Sequence, residues 1–223
     1  MAVFPRISIS YAQSLDGRIA TRSGESQWIS GESTLRLAHR LRRKNEGILV
    51  GVGTVLKDNP KLTCRIPHSI DPVRIVLDSQ LSIPMESELV KSARDYKTLI
   101  ITTEEVQNKK SELLKKAGVE VLDTVRTADG HVELRAALRL LAARGICSIL
   151  VEGGSRVITS FLKERLVDKI YITMAPIIIG QGVPAVGDLG VQSLREAITP
   201  LRIKIKRMGK DLLWELDLET DAR

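Results

Sequence analysis

Short runs of Ile, Val and Leu, each closed by a glycine or a polar residue, recur along the chain and alternate with segments of helical periodicity. A run of this kind bounded by turn residues is typical of a buried strand. Strands that alternate with helices predict an α/β fold with a mostly parallel central sheet and helices on both faces. The predicted strands of this part are residues 7–14, 47–51, 74–78, 97–102, 119–123 and 148–152. The predicted helices are residues 33–44, 103–117, 132–144 and 153–165.

The C-terminal region differs because its apolar segments follow one another without a helix between them. Four strands are predicted there, at residues 169–175, 176–179, 201–206 and 212–218. Such a strand-rich end predicts an antiparallel C-terminal edge. The loosest segments, residues 124–130 and 180–190, do not resemble linkers, and the chain has no internal repeat. We therefore expect a single domain over residues 1–223.

Composition and charge narrow the classes of partner. The net charge is +7, which favours anionic partners such as nucleic acid or a phosphorylated metabolite with a pyridine nucleotide. Aromatic residues are only 3% of the chain and scattered, which argues against single-stranded nucleic acid. No apolar run approaches the roughly 20 residues that span a bilayer, and residues 1–6 lack a signal-peptide pattern. Cys64 and Cys147 have neither disulfide nor metal-site spacing, so we expect a soluble, cytoplasmic protein without a metal.

Two glycine-bearing turns follow predicted strands. Gly51-Val52-Gly53-Thr54 lacks the third glycine of a dinucleotide fingerprint, and a tight strand-to-helix turn explains it as well. Residues 152–155 (EGGS) are more informative, because consecutive glycines expose backbone N–H groups at a helix start, where the dipole is positive. In an open parallel sheet, ligands gather at these strand ends. We therefore predict an anion site formed by Glu152, Gly153, Gly154 and Ser155.

Other polar residues have ordinary structural explanations. Asp16 and Asp58 lie beside turn residues and would cap those turns, and His39 shares a helix with a run of arginines whose usual role is solubility. No Ser-His-Asp or Cys-His arrangement is evident. Hydride transfer remains open, since a cofactor then carries the chemistry and the protein supplies orientation.

Taken in order, six segments resemble the reductase domain of the bacterial bifunctional riboflavin deaminase-reductase and, equally, the stand-alone archaeal reductase of diaminohydroxyphosphoribosylaminopyrimidine. The resemblance covers nearly the whole chain, from about residue 7 to residue 218. The matching segments are 14–20 (SLDGRIA), 23–29 (SGESQWI), 51–63 (GVGTVLKDNPKLT), 151–155 (VEGGS), 166–168 (LVD) and 175–176 (AP).

The resemblance implies a dihydrofolate-reductase-like fold, a homodimer, no metal, and NADPH-dependent reduction of a ribosylamino side chain to ribitylamino on a pyrimidine 5′-phosphate. The sugar must open to an imine whose C1 accepts hydride, and the developing charge calls for placed donors or carboxylates. The positions that it assigns to the cofactor are Trp28, Thr54, Asp58, Gly154 and Ser155. Those that it assigns to the substrate are Ser26, Arg42, Leu62, Arg65 and Glu152. Arg42 and Arg65 would hold the phosphate, and Asp58 and Glu152 would act at the reacting centre.

The chain departs from the family pattern at two points. Ser82 stands where the family commonly has an arginine suited to a 2′-phosphate, so Ser79 and Ser82 are the expected phosphate ligands and NADH remains an alternative to NADPH. No deaminase segment with zinc-binding His and Cys residues is present, so we expect no deamination by this chain. Two substrates therefore stay open, the diaminopyrimidinone and its deaminated aminouracil.

Two other functions stay open from the sequence. One is a dihydrofolate-reductase-like reductase of a different pterin or pyrimidine. The other is a module that binds a nucleotide or nucleic acid without catalysis, which the positive charge permits.

Overall fold

The computed structural model describes residues 4–103 and 109–220. The strands within them are β1 Arg6–Gln13, β2 Arg18–Thr21, β3 Gly47–Gly51, β4 Val73–Leu77, β5 Thr98–Thr103, β6 Glu120–Thr124, β7 Ser148–Gly153, β8 Lys169–Met174, β9 Gly182–Pro184, β10 Arg202–Met208 and β11 Asp211–Asp217. The α-helices are α1 Glu32–Lys44, α2 Val52–Asp58, α3 Glu88–Lys91, α4 Lys109–Lys116, α5 Leu134–Ala143 and α6 Ser155–Lys163, and Leu194–Glu196 form a 3₁₀ turn.

The chain divides into two compact units. Unit 1 consists of residues 4–5 with Arg42–Ile149, and unit 2 consists of Arg6–Leu41 with Leu150–Arg223, of which residues 221–223 lie outside the described part. The expectation of one domain over residues 1–223 therefore stays a prediction.

Unit 1 contains four parallel strands in the order β3-β4-β5-β6. The centres of β3, β4 and β5 are runs of Ile, Val and Leu, and every residue of β3 and β5 is buried, including the three threonines of β5. Such runs are expected of strands covered on both faces. Parallel pairing brings the carboxyl ends of these strands to the same edge, where the loops that follow them meet.

Short helices cover this sheet through a few apolar side chains. Val55 of α2, Leu89 of α3 and Leu114 of α4 belong to one buried cluster with Val76 and Ile100 of the strands. Burying each of these side chains contributes roughly 1.5–3 kcal/mol. The cluster therefore fixes α2, and with it the turn after β3.

The core of unit 1 also holds a charged side chain, Arg74 of β4, which is 1% exposed. Desolvation lowers the pKa of its guanidinium to about 10. It donates to the hydroxyls of Thr98 and Ser92 and to the carbonyls of Lys61, Leu89 and Tyr96. A guanidinium has five N–H donors and needs such partners when it is buried.

Unit 2 contains strands in the order β10-β11-β8-β1-β7, with β7 counted from Leu150. Strand β1 pairs with β8 in parallel, whereas β8 with β11 and β11 with β10 are antiparallel. The predicted antiparallel C-terminal edge is thus confirmed. Strands β2 and β9 form a separate antiparallel pair in the same unit.

The elements predicted from the sequence are confirmed to within a few residues, with particular exceptions. Residues 176–179, predicted as a strand, lie in an irregular loop in which Ile178 is 77% exposed. Their apolar run resembles a strand, but the backbone turns at Ile177, whose N–H donates to the carbonyl of Ala175. The helix predicted over residues 103–117 is observed only as α4, since Thr103 ends β5 and residues 104–108 lie outside the described part.

Several short elements were not predicted as helices or strands: α3, β2, β9 and α2, for which the sequence indicated only a strand-to-helix turn. Each is too short for a periodic pattern to emerge. Within residues 4–103 and 109–220, every helix is too short or too polar to cross a lipid bilayer.

Candidate functional site

The start of α6 in unit 2 presents backbone N–H groups that no side chain caps. Strand β7 ends at Gly153 and α6 begins at Ser155, with Gly154 at the N-cap and no side chain capping it. Because the first helical hydrogen bond runs from Ile158 N–H to the carbonyl of Gly154, the three preceding amides have no acceptor inside the helix. Amides of this kind, with the positive end of the helix dipole, can accept an anion such as a pyrophosphate, and the anion site predicted here stays a prediction.

The two glycines differ in their backbone conformation. Gly153 has φ +121°, in the region that only glycine adopts without strain, and a Cβ built there would meet nothing within 4 Å. Gly154 has an extended conformation, with φ −82° and ψ −166°, and the peptide bond between them is cis. The space around Gly153 leaves room for a ligand to approach the chain at this turn.

Glu152 immediately precedes the turn and is half-buried. A carboxylate at this point can accept hydrogen bonds from a polar ligand. The structure thus brings Glu152, Gly153, Gly154 and Ser155 together on one strand-to-helix connection, as the sequence predicts.

Ser26 and Trp28 lie in the loop between β2 and α1 of unit 2. Ser26 is half-buried, whereas the Trp28 side chain is 70% exposed. Whether these two residues contact a ligand stays a prediction.

Asp16, predicted only to cap its turn, also holds a second loop of unit 2. Its carboxylate accepts hydrogen bonds from the Ser14 hydroxyl at 2.6 Å, from Ile179 N–H at 3.0 Å and from Gly180 N–H at 2.7 Å. These bonds, first that from Ser14, lower the pKa of Asp16 to about 2. Arg18 Nε adds a bond to the carbonyl of Gly180 at 2.9 Å. The Asp16-Gly17 pair in the sequence predicted the turn, but it did not indicate the hydrogen bonds to Ile179 and Gly180.

In unit 1, α2 begins directly after β3. Gly51 is the N-cap without a side-chain cap, Gly53 is exposed, and a Cβ added at Gly53 would meet nothing within 4 Å. Thr54 is half-buried in the first turn, and Asp58 is exposed at the last residue of α2. The strand-to-helix turn predicted here is confirmed, and the ligand roles of Thr54 and Asp58 stay predictions.

Arg42, at the end of α1, contacts the segment that carries the other predicted substrate residues of unit 1. Its Nη1 donates to the carbonyl of Thr63 at 2.9 Å. Leu62 is 3% exposed, with φ +53°, and its side chain belongs to the buried apolar cluster, so it can offer a ligand little beyond its backbone. Arg65 is exposed. Arg42 thus contacts the 61–65 segment, and the phosphate roles of Arg42 and Arg65 stay predictions.

Ser79 and Ser82 follow β4 and bond within unit 1. Ser82 donates through both its N–H and its hydroxyl to Asp78 Oδ1, at 2.9 and 3.0 Å, and Ile83 N–H donates to Asp78 Oδ2 at 2.8 Å. The Ser79 hydroxyl accepts a bond from Val132 N–H at 3.1 Å. Ser82 is therefore held by Asp78, a buried acid that the sequence reading did not single out although it ends an apolar run.

Comparisons with known proteins bear on the whole chain. A family model described as the RibD C-terminal domain matches residues 5–213. The riboflavin biosynthesis protein RibD of Aquifex aeolicus is 40% identical over 210 residues, which are 94% of this chain and 56% of that protein. The 2,5-diamino-6-ribosylamino-4(3H)-pyrimidinone 5′-phosphate reductase of Methanothermobacter thermautotrophicus is 36% identical over 223 residues, 95% of this chain and 97% of that one. The chain thus spans about half the length of the RibD relatives that it matches.

Solved structures share the fold. A diaminohydroxyphosphoribosylaminopyrimidine deaminase/5-amino-6-(5-phosphoribosylamino)uracil reductase of Thermotoga maritima aligns with a TM-score of 0.79 at 28% identity, over 97% of this chain and 57% of that one. A dihydrofolate reductase of Enterococcus faecalis aligns with a TM-score of 0.51 at 15% identity, over 96% of each chain. The predicted dihydrofolate-reductase-like α/β fold is therefore confirmed.

Proposed function

Because the chain belongs to the family of RibD C-terminal domains, we propose that it reduces the ribosylamino side chain of a pyrimidine 5′-phosphate to ribitylamino, with NADPH, in riboflavin biosynthesis. The observation that carries this proposal is the uncapped start of α6 directly after Glu152. A relative of nearly the same length is named as such a reductase.

The cofactor assignment rests on donors that the chain presents. The amides at the start of α6 suit a pyrophosphate, and the open space at Gly153 allows that group to come close to the backbone. Trp28 and Thr54 are the other proposed contacts of the nicotinamide cofactor. A bound nicotinamide nucleotide would supply the hydride, and the protein would supply position and electrostatics.

The residues proposed to bind the substrate include two arginines and two acids. Arg42 and Arg65 bind the 5′-phosphate, since guanidinium groups form strong charge-assisted bonds with phosphate oxygens. Ser26 and the backbone at Leu62 contact the remainder of the substrate. Once the sugar has opened, positive charge develops at the imine nitrogen, and the Glu152 carboxylate stabilises it. Asp58 is the proposed second polar group near the reacting carbon.

Three finer properties belong to this proposal. The protein acts as a homodimer, as the family resemblance implies. NADPH is the preferred cofactor over NADH. The pyrimidine is either the diaminopyrimidinone or its deaminated aminouracil. The cytoplasmic location expected from the sequence stays a prediction.

A substrate-screened assay tests the proposal. Purified protein is mixed with NADPH and, separately, with the diaminopyrimidinone ribosylamino 5′-phosphate, the corresponding aminouracil and dihydrofolate, and the loss of reduced-nicotinamide absorbance is followed. We expect turnover with one or both ribosylamino substrates. Turnover of dihydrofolate alone would instead favour a reductase of another pterin. Salt-sensitive duplex binding without NADPH oxidation would favour a non-catalytic module.

A further inference from the structure

The loop at residues 26–30 of unit 2 carries two of the residues proposed to contact ligands, Ser26 and Trp28. On its N-terminal side, a tight turn closes β2. In this turn Thr21 N–H donates to the carbonyl of Glu25 at 2.9 Å, and Glu25 N–H donates to the Thr21 hydroxyl at 3.1 Å. The loop is therefore held to the end of β2 where it begins.

Packing does little to locate the Trp28 side chain. The residue is 70% exposed, so unit 2 covers only a minor part of the indole. The position of such a side chain depends on the backbone that carries it, and therefore on where that backbone is anchored. The chain spans at most about 3.6 Å per residue, so the Cα of Trp28 lies within about 11 Å of that of Gly31. An anchor at Gly31 therefore limits where Trp28 can lie.

The C-terminal end of the loop is anchored by Asp211, the first residue of β11. One oxygen of its carboxylate, Oδ2, accepts hydrogen bonds from Gly31 N–H at 2.8 Å and from the Thr34 hydroxyl at 3.1 Å. The carbonyl of Gly31 accepts a bond from Thr34 N–H at 3.0 Å. The negative charge thus lies at the start of α1, where the helix dipole favours an anion. Asp211 holds the last residue before α1 and the first turn of α1 together.

Asp211 belongs to a well-paired part of the sheet. Strand β11 pairs with β10 on one side and with β8 on the other, and Asp211 is the partner of Met208 across the hairpin. Asp211 is 3% exposed, and Leu213, which lies on the same face of β11, is 2% exposed. A carboxylate buried in this way is costly unless it is hydrogen-bonded. Its bonds come from the junction between the 26–30 loop and α1, so an acid at this position stabilises that junction.

We propose that Asp211 is a positioning residue of the reductase site: by holding Gly31, it fixes the 26–30 loop so that Ser26 and Trp28 are presented to the substrate and the nicotinamide cofactor. This inference rests on the proposed function, which assigns Ser26 and Trp28 to these ligands. Asp211 is buried and acts only through the loop. Because misplacing a positioned group by 1 Å can cost about a hundredfold in rate, loss of the anchor lowers cofactor affinity and turnover.

The fluorescence of Trp28 tests the anchor in the full chain. The chain has two tryptophans, so Trp214→Phe leaves Trp28 as the only indole, and every variant is made in this background. Asp211→Ala should lower the anisotropy of Trp28 emission without nucleotide, because the loop then moves more freely. It should also weaken NADPH binding about tenfold, measured by quenching of the same emission, and lower kcat/KM about ten- to hundredfold.

Two milder variants grade the effect. Asp211→Asn keeps an acceptor oxygen for both donors and should retain most of the NADPH affinity of the background protein. Thr34→Val removes only one of the two donors to Asp211 and leaves the bond from Gly31. It should change the anisotropy and the Kd in the same direction as Asp211→Ala, by a smaller amount, and it carries the test if Asp211→Ala does not fold.

Asp168→Ala is the matched control. The Asp168 carboxylate also accepts a backbone bond in unit 2, from Ile7 N–H at 2.7 Å. Asp168 directly precedes β8, whereas Asp211 lies at the other end of that strand, next to the pair formed by Leu212 and Met174. Asp168→Ala should lower the melting temperature but leave the Trp28 anisotropy and the Kd of NADPH unchanged.

The outcomes separate this inference from the proposed function. Unchanged anisotropy and Kd in Asp211→Ala and Thr34→Val would overturn the inference, as would equal changes in Asp168→Ala, because general loosening of unit 2 would then explain them. If the wild-type protein still oxidises NADPH with a ribosylamino substrate, only the assignment of Asp211 fails. If the wild-type protein neither binds nor oxidises NADPH, the proposed function fails, and the presentation of the loop to these ligands fails with it.

Discussion

Glu152, near the end of β7, and Asp78, directly after β4, look alike in the sequence because each is an acid at the end of a buried apolar run, yet the two have opposite environments in the structure. Glu152 is half-buried and is followed by a glycine turn and a helix without a side-chain cap. Asp78 is buried, and both of its oxygens bond the loop that follows. An acid at the end of a buried strand therefore does not by itself indicate whether the residue belongs to a ligand site or stabilises the fold.

The difference arises from the segment after each acid. After Asp78 the chain turns back through Leu81, which has φ +51°, and this turn aims the N–H groups of Ser82 and Ile83 at the carboxylate. After Glu152 the chain passes through Gly153 and Gly154 into α6, whose first three N–H groups have no acceptor within the helix. Backbone donors are therefore used inside the protein after β4, whereas those at the start of α6 have no acceptor within the helix.

The largest expected effect is on turnover at Glu152. Glu152→Gln keeps the size of the side chain and removes its charge, so kcat/KM should fall about 10²–10³-fold, as when a single electrostatic stabiliser is lost. The melting temperature should hardly change. Steady-state kinetics and thermal unfolding measure the two quantities, and a variant that melts early but turns over normally would reverse the comparison.

The next effect is on folding at Asp78. Asp78→Ala leaves the N–H groups of Ser82 and Ile83 without their acceptor, and the free energy of unfolding should fall by about 2–4 kcal/mol. Asp78→Asn, which keeps one acceptor oxygen, is the control and should lose less. Denaturant titration gives the values. An unchanged free energy in Asp78→Ala would show that this carboxylate is not structural.

A smaller effect tests the start of α6 directly. Ser155→Asp places a negative charge in the first turn, which should stabilise the helix by about 0.3–1 kcal/mol through its dipole. The same charge should weaken NADPH binding by at least about tenfold, because it repels the pyrophosphate. Ser155→Asn is the uncharged control. If Ser155→Asp binds NADPH as tightly as the wild-type protein or more tightly, the pyrophosphate does not bind at the start of α6.

The smallest expected effect is on the pH dependence of stability at a third acid, Asp16. This residue follows β1, and its carboxylate accepts hydrogen bonds from the N–H groups of Ile179 and Gly180. Its pKa in the folded protein is about 2 against an ordinary 3.8, so the unfolded chain binds the proton more tightly. The stabilisation is therefore complete above pH about 3.8 and is lost as the pH falls through about 2. As the pH falls from about 3.8 to about 2, the melting temperature of the wild-type protein should fall more steeply than that of Asp16→Asn. Parallel melting curves for the two proteins would contradict the assignment.

The sequence predicts the strands well because each needs only a local run of apolar residues. Residues 47–51 and 148–152 are found almost at the predicted bounds. The strand predicted at residues 176–179 is wrong because the prediction also used only a local apolar run. Its three isoleucines suggest a buried strand, whereas the residues form a loop that is held by the carboxylate of Asp16, far away in the sequence. A pattern of residue types carries no information about such a distant partner.

The candidate site could be predicted only where it is local. The turn from Glu152 to Ser155 is contiguous, so its glycines and its helix start are readable from the sequence. The bond between Ser79 and Val132 joins residues 53 positions apart, and it depends on how the loop after β6 folds back. The turn at Leu81, a bulky residue with positive φ, also follows no local preference.

The buried Arg74 side chain affects how unit 1 unfolds locally. One buried guanidinium is shared by the loop before Leu62, by α3 and by the start of β5, and each supplies part of its hydrogen bonding. None of these segments can detach alone without leaving a charge poorly solvated in the interior. They therefore form one cooperative unit, whose amide protons exchange with solvent together rather than loop by loop.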